Sequence, residues 1–251
     1  TASSTGLAML LPQWAQEGGN QAMLARLRDP ATRARIHSAI VDNILKNRGG
    51  GHPKNVVLAN CPFDPSMNGK SLAQLTDEKG RPPTPENAAE TAMEIVARGS
   101  CQTVYHAIDE PDIERIMKYP WTMIASDGEV PIFGRGVLHP RSYGTFARVL
   151  GVYVRERKVL ALEDAIRKMS SLPAQRLGLG DRGLLRPGMK ADVVIFDPAT
   201  VTDRAVFGNP HQYAAGFSHV LVNGELILDD GRITDRRAGR VLFGPAARKS
   251  Q

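Results

Sequence analysis

Cysteine is scarce in this chain, with two residues, Cys61 and Cys101, among 251. Neither falls in a CxxC pair, and two are too few for a disulfide framework. A thiolate metal ribbon and a small disulfide-stapled fold are therefore excluded. The expected state is two reduced thiols in a cytoplasmic protein, with a single disulfide as the alternative. Long apolar runs are missing as well. No uninterrupted apolar segment approaches the roughly 18 residues that suggest a membrane span, so no membrane partner is expected. The opening "TASSTGLAMLLPQWAQEGG" has no basic stretch leading into an apolar one, so it does not read as a secretory signal. There is no internal repeat and no low-complexity tract. The glycine-rich run Gly49-Gly50-Gly51-His52 lacks the GK[ST] of a phosphate loop and reads as a mobile loop.

What is present is ordinary globular composition, 42% hydrophobic and 23% charged. The net charge of +6 could mean an acidic partner, but the basic residues are scattered among acids, as in "DEPDIERIMK" and "VRERKVLALEDAIRKM". Only the tail "DRRAGRVLFGPAARKS" is locally basic, and it lacks the interleaved aromatics of a single-strand binding platform. No nucleic-acid partner is expected; a diffuse attraction for anionic substrates is.

Along the chain, "QAMLARLRDPATRARIHSAIVDNIL" has helical spacing with a break at Asp29-Pro30. "VVLANCP" reads as a buried strand. "SLAQLTDEKGRPPTPENAAETAMEIVARG" reads as two helices, the second capped by Thr84 ahead of Pro85. "CQTVYHAI" is a strand, "DEPDIERIMKYP" a helix, "WTMIASDG" a strand, and "GTFARVLGVYVRERK" and "LEDAIRKMSSLPAQRLGL" are helices. Such alternation predicts a parallel sheet or barrel. Beyond Gly183 the text becomes short strands and turns: "ADVVIFD", "HVLVNGELIL", "GRITD", "RVLFG". Asn223-Gly224 predicts a type I′ hairpin turn.

In "WTMIASDGEV" an apolar run stops on Ser126-Asp127-Gly128. Asp and Gly are turn residues, yet a carboxylate at a strand end is also what the mouth of a catalytic barrel presents. Together with "HPRSYGTFARVLG", "MSSLPAQRLGLGDRGLLRPGMKADVVIFDPATV", "HVLVNGELI", "DEPDIERIM" and the opening "TASST", this stretch resembles the C-terminal half of the N-acyl-D-amino-acid deacylases. These are metal-dependent amidohydrolases. The likeness is weakest from about Lys46 to Glu90. It implies an α/β fold: residues 1–183 as the C-terminal portion of a (β/α)8 barrel, and residues 184–251 as part of a small β-sandwich.

The resemblance also implies roles. Asp127 would be the base that takes a proton from water and passes it to the leaving nitrogen. Arg141, in "HPRSYGTF", would bind the free carboxylate of an N-acyl amino acid through its fork, a surface ion pair being its other reading. Ser4 would assist Arg141, and His139 would line the site or stabilise its loop. His106 is read as a core or loop residue, and His37, His52, His211 and His219 are assigned no ligand role. One or two zinc ions would be held mainly by residues upstream of Thr1, where the family carries its HxH pair, ligand Cys and later histidines. Asp127 is the one residue here that could also touch the metal. An N-terminal half of the same precursor, as a second chain, is therefore the expected partner. The segment "GEVPIFGRGVLHPR" is longer and more apolar than a minimal loop, leaving side-chain specificity and handedness open. Two rivals stand beside this: Thr1 as an N-terminal nucleophile produced by precursor cleavage, and a non-catalytic basic binding subunit.

Overall fold

The computed structural model describes residues 3–136 and 138–243. It divides into two compact units, Thr1–Asp112 with Ile132–His139, and Ile113–Pro131 with Pro140–Gln251.

In the first unit β1 (Ser3–Gly6) leads through a 3₁₀ turn, Leu7–Leu10, to α1 (Gln13–Gln16), α2 (Gly19–Arg28) and α3 (Pro30–Lys46). The break at Asp29-Pro30 is a cap: the Thr32 N–H donates to Asp29 Oδ2 at 2.9 Å, and Pro30 takes a helix position that needs no N–H. Ile36, Ile40 and Ile44 recur every fourth residue and are all fully buried, forming the stripe by which α3 packs on the unit's core. Then come β2 (Val56–Asn60), α4 (Leu72–Asp77), α5 (Pro85–Arg98) and β3 (Gln102–Tyr105). Thr84 caps α5 as the sequence predicts, accepting from the Asn87 N–H at 3.3 Å. The buried Tyr105 hydroxyl donates to the Gly6 carbonyl at 3.0 Å, tying β3 to β1 beyond the ladder.

Three expectations are corrected in this unit. The sheet order is β1-β3-β2, and β3 runs antiparallel to both neighbours rather than parallel. A single helix between strands returns the chain parallel; here two helices, α4 and α5, stand between β2 and β3. The cysteines are not free thiols: Cys61 and Cys101 form a disulfide. One follows β2 and the other precedes β3, so the sheet itself brings them together. And the glycine-rich loop is bonded in place, with the Asn55 side chain donating to the Gly50 carbonyl at 2.9 Å.

The second unit takes in most of α6 (Glu110–Lys118), followed by α7 (Arg141–Arg148), which runs on into a π-helical stretch, Val149–Glu156. Then come α8 (Leu162–Met169) and α9 (Ser171–Arg176). Met117, Val149, Tyr153, Leu160 and Ala165 form its main apolar cluster. The four-stranded antiparallel sheet has the order β4 (Val193–Phe196), β5 (Phe217–Val222), β6 (Glu225–Asp229), β7 (Arg232–Ile233). Asn223 and Gly224 both have positive φ, 51° and 87°, as the predicted hairpin turn requires. The composition switch near Gly183 falls inside this unit. Two expected strands are absent: Val241–Phe243 is irregular, with Gly244 outside the described residues, and Trp121–Gly128 is not in a sheet. In that segment Trp121, Met123, Ala125 and Asp127 are exposed, while Thr122, Ile124 and Ser126 are half-buried. The two-residue period of an extended chain is there, but no strand among the described residues pairs with it.

Candidate functional site

Asp127 therefore does not cap a barrel strand in this structure; it occupies a tight turn after an extended segment. Its φ of 48° is the left-handed region, which Asp tolerates better than most residues because its short side chain bonds locally. Gly128 follows for reasons of space. A Cβ there would lie 3.0 Å from Ser142 Cα and 3.1 Å from the Arg141 carbonyl oxygen. The turn thus lies directly on the first residues of α7. Two hydrogen bonds set its shape: the Gly128 N–H donates to Ser126 Oγ at 3.1 Å, and the Glu129 N–H to Ser142 Oγ at 3.2 Å.

This geometry brings Asp127 and Arg141, fourteen positions apart, into an ion pair with Arg141 Nη2 2.7 Å from Asp127 Oδ2. The carboxylate is 85% exposed, while the arginine is only 22% exposed. Water can therefore reach the acid, and the fork is held by its surroundings. Arg141 presents its N–H donors in a planar fork suited to a carboxylate.

Helix α7 is itself fixed tightly. A side chain at Gly144 would come within 2.7 Å of Asp203 Cβ, and Arg148 pairs with Asp203 at 3.2 Å. Asp203 keeps Arg148 firmly charged, raising it above the usual arginine value against the opposing effect of burial. Tyr143 Oη lies 2.9 Å from His211 Nδ1, and the Tyr143 ring meets Tyr213 edge-on at 5.7 Å. Burial and Tyr213 push the Tyr143 hydroxyl above its ordinary range. Sequence reasoning passed over Ser142 and Tyr143 and assigned His211 no ligand role. Only the closeness of the first two to Arg141 could have drawn attention to them.

Ser4 lies on β1, half-buried and opposite Val104, and His139 is half-buried at the end of the Ile132–His139 segment; both belong to the first unit. Asp127 and Arg141 belong to the second. His106 leaves β3 with its backbone N–H donating to the Asn55 carbonyl at 2.8 Å; burial lowers its ring below the ordinary histidine value. The other histidines have local partners: His37 the Glu86 carbonyl at 2.9 Å, His52 the Lys54 N–H at 3.0 Å, His219 Asp229 at 3.3 Å. Thr1, the residue of the nucleophile alternative, lies outside the described residues. Among the described residues no group of three or more His, Cys, Asp or Glu could hold a metal ion, so these residues do not by themselves make a metal site. Nor is any helix among them long and apolar enough to cross a membrane.

Comparisons with known proteins bear on the pair. A model described as "Amidohydrolase family" matches residues 88–228, which include Asp127 and Arg141. The chain is 41% identical over 187 residues to the D-aminoacylase of Alcaligenes xylosoxydans xylosoxydans, covering 74% of this chain and 36% of that protein. It is 46% identical over 178 residues to the N-acyl-D-aspartate deacylase of the same organism, covering 71% of this chain and 34% of the relative. The solved N-acyl-D-glutamate deacylase of Bordetella bronchiseptica, complexed with zinc and a phosphonate mimic of the tetrahedral intermediate, superposes with a TM-score of 0.63. The identity is 30%, over 86% of this chain and 52% of that one. The chain spans about a third of the length of the curated relatives it matches. It belongs to the amidohydrolase family and, within it, to the D-aminoacylase group.

Proposed function

We propose that this chain carries the proton-transfer and carboxylate-binding residues of an enzyme that hydrolyses N-acyl-D-amino acids. Asp127 accepts a proton from the attacking water as its oxygen bonds to the amide carbon. It then delivers that proton to the nitrogen as the C–N bond breaks, so amino acid and carboxylic acid leave and the carboxylate is restored. Arg141 binds the substrate's free carboxylate through its guanidinium fork. The observation that carries this is the Asp127–Arg141 pair at 2.7 Å, one acid open to water beside one half-buried fork. The names of the relatives, deacylases of N-acyl-D-amino acids, point the same way.

Zinc accompanies one relative. The ligands of such an ion would come mainly from an N-terminal partner segment, with Asp127 the one residue of this chain that could also touch it; the described residues hold no cluster of three or more ligand groups. In that setting residues 1–183 contribute to a (β/α)8 barrel and residues 184–251 to a β-sandwich. The test is an Asp127→Asn variant of the complete enzyme, assayed on paired N-acyl-D- and N-acyl-L-amino acids. We expect kcat to fall at least about a hundredfold, on the scale of general-base catalysis, with the D-series preferred and folding intact. Undiminished activity in the variant would return Asp127 to the status of a turn residue.

A further inference from the structure

Lys168 is the only charged side chain fully buried among the described residues, and the proposed chemistry makes no use of it. Burying an ammonium is costly unless its donors are satisfied. Here they meet backbone: Nζ donates to the Tyr119 carbonyl and, at 3.3 Å, to the Thr122 carbonyl. The nearest carboxylate oxygen, Asp164 Oδ2, is 3.9 Å away. Both carbonyls belong to the Tyr119–Thr122 turn just past the C-terminal end of α6, where the helix dipole favours a cation. Arg167, the preceding residue, adds a hydrogen bond from Nη2 to the Pro120 carbonyl at 2.6 Å. The Ile124 N–H donates to the carbonyl of Lys168 itself at 3.1 Å. The end of α8 thus bonds four backbone groups of Tyr119–Ile124, a stretch with which no strand among the described residues pairs. Three residues further on stands Asp127.

We infer that Lys168 is a positioning residue: its buried ammonium fixes the Tyr119–Ile124 backbone and thereby the placement of Asp127, whose catalytic role is the one proposed above. The segment is gripped at both ends, by α8 before Asp127 and by Ser142 and Arg141 after it. Releasing the α8 end leaves Arg141 on α7 untouched, so substrate binding and turnover should separate.

The test uses Lys168→Met, which keeps the apolar stem and removes the donors, in the complete metal-loaded enzyme. Leu160→Ala serves as reference, because Leu160 is buried in the unit's main apolar cluster, against which Ile124 packs, but its amide bonds to Tyr153. The two are compared at temperatures equally far below their melting points. In Lys168→Met we expect kcat at least about tenfold below the reference with KM changed less than about twofold, as small misplacements of a catalytic group cost rate. Amide hydrogen exchange should quicken at Ile124, Gly128 and Glu129 and stay unchanged in residues 13–105. Matching kcat and KM values in the two variants, or unchanged exchange at those amides, would overturn the inference. An Asp127→Asn enzyme with wild-type kcat would overturn the catalytic half alone, and the exchange comparison would still decide whether Lys168 fixes the backbone.

Discussion

Asp127 shows how little a dipeptide reveals. Ser126-Asp127-Gly128 is turn chemistry, and the structure makes it a turn, with Asp127 in the left-handed region. The same turn sets its carboxylate 2.7 Å from Arg141, so turn and candidate site are one object. His106 is a different kind of residue, argued from burial. Its folded-state pKa lies below the ordinary 6.5, so the neutral ring is favoured on folding. The unfolded chain then binds more protons, and stability from this residue is present above pH about 6.5 and lost as pH falls below it. We expect His106→Gln to flatten the fall in melting temperature between about pH 7 and pH 5, where unfolded histidine titrates. Parallel melting curves for variant and wild type across that range would refute this.

At the scale of elements, the helix boundaries were the most legible feature. Asp29-Pro30 and Thr84-Pro85 each place a capping side chain before a proline, and the chemistry of a cap acts within three residues. The hairpin at Asn223-Gly224 is equally local, and Asn223 does more than turn the chain. Its N–H donates to Asp192 at 2.7 Å, its amide to the Ala238 carbonyl at 2.6 Å, and its Oδ1 accepts from Arg182 at 2.7 Å. The bond between Cys61 and Cys101, by contrast, stood only as the alternative to free thiols, because forty residues and two helices separate them. A crosslink between the end of β2 and the start of β3 should stabilise the first unit by about 2–4 kcal/mol. Peptide mapping without reductant should recover the linked pair, and reduction should lower the first unit's melting transition. Recovery of two free thiols from protein purified without reductant would disprove the bond.

For the whole molecule, the relation to longer relatives is the governing fact. Trp121, Val130, Ile233 and Phe243 are each more than half exposed, a distribution that suits surfaces awaiting partners. If an N-terminal segment supplies the metal ligands and covers such surfaces, the chain by itself should hold no stoichiometric zinc and no deacylase activity. Co-expression with that segment should restore both. Full activity and bound zinc in the isolated chain would remove the need for a partner.

What the sequence by itself determined were the features governed by short-range forces: caps, turns, the amphipathic stripe of α3, and the residue types of the Asp127 and Arg141 motifs. The tertiary structure decided strand direction, the disulfide, the meeting of Asp127 with Arg141 and the burial of Lys168. The reason is physical. A cap or turn is settled by dihedral preferences and hydrogen bonds among neighbours in the chain. Whether two strands run parallel, or whether a lysine on an amphipathic helix faces water or the carbonyls of another segment, depends on which surfaces meet. Nothing local in "LEDAIRKM" distinguishes Lys168 from a solvated lysine until the backbone of Tyr119–Ile124 is laid across it.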